Sequence, residues 1–119
     1  MAGKAFGGEA RSHVSKGVST GTITRKTFVS LTLDSTPGAG ERVMGVALFA
    51  AASGETFEYV DQGVAVVTAH ETLADGDPVT PHTDGTAKKA TGGDIVAGKV
   101  LAGCGGDIGD EVRILLSGN

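Results

Sequence analysis

The chain has no tryptophan, one tyrosine and four phenylalanines in 119 residues, which excludes a core built on stacked aromatic rings. Its one cysteine, Cys104, excludes an internal disulfide, and the flanking Gly103, Gly105 and Gly106 bring it neither a second thiol nor an imidazole. Cys104 therefore reads as a small apolar filler. No stretch approaches the roughly 18 uninterrupted apolar residues of a membrane helix. The first ten residues also lack the apolar run of a secretory leader. These absences predict a cytosolic product with no membrane partner. Glycine is abundant instead, with 20 residues, more than double its usual share of about 7%. The length suits one domain, and the core must be aliphatic, built from Val, Leu, Ile and Ala.

Charge divides the chain unevenly. Residues 1–27 carry Lys4, Arg11, Lys16, Arg25 and Lys26 against the single acid Glu9, a net of +4. The other 92 residues hold five cations and thirteen acids, a net of −8. Large apolar groups are sparse in the first part, at Phe6, Val14, Val18 and Ile23, and cannot offset an ordering entropy of about 1–2 kcal/mol per residue. The expectation is an extended basic N-terminal arm over residues 1–27 that grips a partner, and a compact β-rich body over residues 28–119.

Periodicity in the body is two. In residues 28–33, Val29, Leu31 and Leu33 alternate with Phe28, Ser30 and Thr32, and in residues 111–117 Val112, Ile114 and Leu116 alternate with Arg113 and Leu115. Further apolar runs occupy 43–50, 64–68 and 95–102. Phe57 and Tyr59 share one face of a strand ending at Val60, and turns are expected at Gly63 and at Asp84 and Gly85. Residues 70–75 are long enough for one helical turn at most. The predicted fold class is all-β, a small β-sandwich or barrel of short strands. A weak internal echo, GVAL at 45–48 with a glycine-acid turn and a strand, then GKVL at 98–101 with the same sequel, predicts a repeated hairpin design.

Catalytic patterns fail on inspection. The segment GDIVAGKV at 93–100 matches a phosphate-binding loop at both glycines and at Lys99, but Val100 stands where a magnesium-binding hydroxyl belongs. Asp75, Asp77, Asp84, Asp107, Asp110 and Glu111 beside glycines follow turn chemistry rather than the spacing of a calcium loop. His13, His70 and His82 are too scattered to suggest a metal site, and no nucleophile has a matched base in a local signature. The sequence thus points to no enzyme, catalytic residue, cofactor or metal. A body of net −8 and an arm without interleaved aromatics also argue against nucleic acid.

The order GVAL (45–48), GVAV (63–66), LADGDPV (73–79), DGT (84–86), GKVL (98–101) and EVRILLSG (111–118) resembles the small capsid decoration, or cement, proteins of tailed phages, a group often carried as phage proteins of unknown function or under a predicted recombinase label. The resemblance covers about two thirds of the chain. It implies a non-catalytic virion protein, assembled in the host cytoplasm, that binds the outside of an expanded head as a homotrimer. Its partner would be the major capsid protein. With the charge division it makes Lys4, Phe6, Arg11, Val14, Lys16, Val18, Ile23, Arg25 and Lys26 the candidate capsid-binding residues; arms of this family commonly lie across neighbouring capsid subunits and sometimes add a strand to a shell sheet. The alternative is another β-rich binding module, such as a tail or fibre component or a carbohydrate-binding domain presenting Phe57 and Tyr59.

Overall fold

The computed structural model describes residues 12–117. Nine strands are present among them: β1 His13–Val18, β2 Phe28–Ser30, β3 Val43–Ala47, β4 Thr56–Gln62, β5 Val64–Thr68, β6 Pro78–Pro81, β7 Ala87–Lys89, β8 Gly98–Val100 and β9 Glu111–Leu116. They form two antiparallel sheets, one ordered β1-β4-β3-β2 and the other β5-β9-β8-β6-β7, and no helix occurs among the described residues. The fold is a small all-β sandwich, as the patterning predicts.

The chain changes sheets at Gly63, whose φ of 91° lets β4 turn directly into β5. Between the sheets, Phe28, Val46 and Val60 meet Val67, Val79, Val112 and Ile114 in an aliphatic core with one aromatic ring at its centre. A second, smaller cluster lies on the far face of the four-stranded sheet, where Ile23, Val29, Ala47, Phe57 and Tyr59 are buried against Leu33, Met44 and Ala51. The five-stranded sheet is also rolled. Ala69, just beyond β5, bridges Ala87 in β7, so the two outermost strands of the sheet meet at one point.

The strand expected over residues 28–33 stops at Ser30. The Ser30 hydroxyl donates to Asp34 Oδ1 at 2.7 Å and accepts from the Thr32 and Asp34 amides, so local side-chain bonding replaces the ladder. Leu33 then takes φ 70°, and Leu31 faces solvent. Residues 70–75 form no helical turn. Leu73 is instead extended, bridging Gly106 with both backbone bonds made and its side chain buried.

The phosphate-loop lookalike is a strand. Gly98 lies in β8, where a Cβ would sit 2.6 Å from the Leu115 carbonyl oxygen, so the glycine serves strand packing. The echoed hairpins pair as expected, β3 with β4 and β8 with β9. Their turns share one design. Ala52 donates its amide to the Glu55 carboxylate and Asp107 to that of Asp110, while Gly54 and Gly109 take φ of 88° and 87° at the third position of each turn. Residues 74–77 repeat it, with Gly76 at φ 82° and Asp77 accepting from Ala74.

Candidate docking surface

The second half of the expected arm is part of the body. From Ser12 onward the chain is paired: β1 runs antiparallel to β4, with Val14 opposite Val60, Lys16 opposite Glu58 and Val18 opposite Thr56. Beyond it, Ile23 bridges Ala51 and is 1% exposed. The boundary expected after residue 27 therefore falls inside the packed sandwich. Ile23 is a core residue, and its burial beside Phe57 and Tyr59 removes it from any outside contact.

The other candidates separate clearly. Lys4, Phe6 and Arg11 lie outside the described residues. Arg25 pairs with Glu111 across 3.6 Å, and Lys26, at φ 61°, ties the sheets together through its backbone, donating to the Ala47 carbonyl and accepting from the Thr68 amide. Val14, Lys16 and Val18 are brought together. They alternate along one face of β1 and all are exposed, Val18 at 55%.

β1 is the outermost strand of its sheet among the described residues, and it is clasped at one end. Asp61 of β4 receives a hydrogen bond from Ser15 Oγ at 2.6 Å and contacts His13 Nδ1 at 2.7 Å. Burial alone would raise the Asp61 carboxyl, but the bonds from Ser15 and His13 outweigh it and hold the group below its ordinary value of 3.8. At the other end Ser19 donates its amide to the Glu55 carbonyl and its hydroxyl to that of Ala52. The clasp presents the exposed row of β1 on a fixed frame.

That row continues into a neighbouring groove. Phe49, 63% exposed, follows β3 and joins Lys16, Ala50, Thr56 and Glu58 around a shallow depression of about 290 Å³. An apolar ring, two valines and a facing Lys–Glu pair on a sheet edge make a surface suited to protein contact: the edge offers backbone groups, the side chains offer pockets and charge. Phe49 carried no periodic signal, because it belongs to a bend after the strand. By contrast Phe57 and Tyr59, the pair a carbohydrate-binding module would present, are both 5% exposed, with ring centroids 5.6 Å apart inside the second cluster. They are core, and the carbohydrate alternative loses its platform.

No protein-family model matches the chain. No curated protein matches it either. Among solved structures, it resembles the N base of the head fiber protein gp8.5 of bacteriophage phi29, with a TM-score of 0.72 at 16% sequence identity, over 91% of this chain and 96% of that one. At that identity the likeness is one of fold. It extends across nearly the whole of both chains, so the sandwich as a unit is shared.

Proposed function

We propose that the chain is a structural protein of a phage virion, attached to the head. One observation carries this reading: the sandwich, nearly end to end, has the fold of a phage head fiber base. The order of sequence motifs, which resembles the phage decoration proteins, points to the same kind of particle.

In the finer form of the proposal, the protein sits on the capsid exterior, binds the major capsid protein and stabilises the shell as a homotrimer without catalysing a reaction. The exposed row Val14, Lys16 and Val18, with Phe49 beside it, is the contact face, and Lys4 and Arg11, outside the described residues, add positive charge to the chain upstream of it. An outermost strand can be joined to a sheet of the shell through main-chain hydrogen bonds, while the valines fill shallow pockets. Self-contact falls to the outer face of the five-stranded sheet. There Leu115 stands opposite Val64 and beside Lys99, leaving an apolar strip partly open to water.

The test is sedimentation with expanded heads that lack the protein. The full chain should pellet with such heads and raise the temperature at which they rupture; failure to co-sediment would overturn the proposal. The fold comparison also supports a second reading, in which the sandwich is the base of a longer head projection. Electron microscopy of decorated heads separates the two, since a cement protein leaves compact knobs and a fibre base leaves extended projections.

A further inference from the structure

Two histidines twelve residues apart in sequence meet where the rolled sheet closes. His70 follows the Ala69–Ala87 bridge at the end of β5, and its amide donates to the Ala87 carbonyl at 2.7 Å. His82 opens the turn between β6 and β7. The two rings stack with centroids 3.8 Å apart and planes 13° from parallel, and Asp84 Oδ1 lies 3.3 Å from His82 Nδ1. One ligand atom from each of His70, His82 and Asp84 falls within a 4.8 Å span.

We propose that His70, His82 and Asp84 form a binding site for a borderline divalent transition ion, zinc in the first instance. Two imidazoles and a carboxylate suit zinc, nickel or cobalt, whereas calcium and magnesium prefer all-oxygen shells. The hydrogen bonds of Asp84, from both the amide and the hydroxyl of Thr86 and with His82, all use Oδ1, which leaves Oδ2 to serve as the ligand atom. The backbone under the three ligands is held in place. His82 donates its amide to Thr86, Gly85 donates to His82, and the Gly85 carbonyl accepts from Phe28. A Cβ on Gly85 would come 2.8 Å from Thr27, so this turn is wedged against the other sheet.

The stacked rings cannot both bind one ion as they stand. Imidazole lone pairs lie in the ring plane, and near-parallel stacked rings with centroids 3.8 Å apart do not aim theirs at one point. Turning one ring about its Cβ–Cγ bond, a soft rotation for histidine, points both nitrogens at a common position. Zinc with bonds of about 2.0–2.1 Å then draws the three atoms closer than the observed span. The backbone stays where it is, and the fourth position faces water. An ion there would staple the seam at which the first and last strands of the five-stranded sheet meet.

Tag-free protein, stripped with chelator and titrated with zinc chloride in a calorimeter, should bind one ion per chain and melt several degrees higher when loaded. Cobalt should give the visible absorption of a nitrogen- and oxygen-ligated ion. His70→Gln and His82→Gln should each weaken zinc binding about tenfold or more while leaving the metal-free melting temperature within a degree or two. In nuclear magnetic resonance spectra of the wild-type chain, the rings of His70 and His82 should shift with zinc and that of His13 should not. Absence of binding at micromolar zinc, binding unchanged in the double variant, or shifts confined to His13 would each overturn the assignment.

Discussion

A methyl group on Gly45 would lie 2.1 Å from the carbonyl oxygen of Val60, while one on Gly54 would meet nothing within 4 Å. The two glycines are thus kept for different reasons. Gly45 is required by space, where β3 lies close against β4; Gly54 is required by its φ of 88° in an open turn. Gly45→Ala forces the strands apart and should cost about 3 kcal/mol, the upper range for overpacking. Gly54→Ala meets only the left-handed conformation and should cost about 1–2 kcal/mol. Urea melts of the two variants read the difference directly, and equal losses would mean that β3 relaxes freely around an added methyl. Glycine abundance was plain in the sequence; which glycines answer to space and which to dihedral angle was not, because space depends on a strand paired fifteen residues away. The acid following each turn glycine was more legible. Asp and Glu at the fourth position reach back to the first amide in residues 52–55, 74–77 and 107–110, which accounts for acids that a calcium reading would otherwise claim.

At the scale of elements, strands with a clean alternation or a β-branched run stood out in the sequence, β5 and β9 above all. β1 did not, and the reason is local packing. Its inward positions are Ser15 and Gly17, and a Cβ on Gly17 would sit 2.9 Å from Leu33 Cδ1, so the Leu33 side chain fills the room that an apolar β1 residue would take. With its valines pointing outward, HVSKGV reads as a solvated arm. Ile23 is the residue that distinguishes arm from body: as a core residue, Ile23→Ala should destabilise the fold by about 2–5 kcal/mol, whereas an arm residue would leave the melting temperature alone. The β1 clasp also carries a pH dependence. A carboxyl whose pKa is lowered on folding contributes stability that is present above its unfolded value and lost as pH falls through its folded one. Asp61 is such a group, so the clasp should be intact above about pH 5 and weaken progressively below about pH 4. Protection of the β1 amides, measured against their intrinsic exchange rates, should fall there, and Asp61→Asn should lower it already at neutral pH; protection that stays flat from pH 7 to pH 3 would show that backbone pairing alone holds the strand.

For the whole molecule, the docking proposal depends on faces that stability does not need. Val14 and Val18 are exposed, so Val14→Asp with Val18→Asp should shift the melting temperature by no more than a degree or two yet abolish co-sedimentation with heads. Loss of both together would mean that β1 is only a structural edge. The self-contact face has a separate readout. If the strip of Val64, Val66 and Leu115 joins three copies, the free protein should have three times the 11.8 kDa chain mass in analytical ultracentrifugation, and Leu115→Asp should reduce it to one chain. That variant also tests whether weak contacts would suffice. In such a trimer three β1 edges would bind as a unit, and linked sites gain about 10²–10⁴ in avidity without a new contact. Leu115→Asp leaves each β1 untouched, so it should release heads at least a hundredfold faster while the monomer still binds at high concentration. Release at the wild-type rate from a monomeric variant would show that each copy holds the shell alone and that trimerisation contributes nothing to attachment.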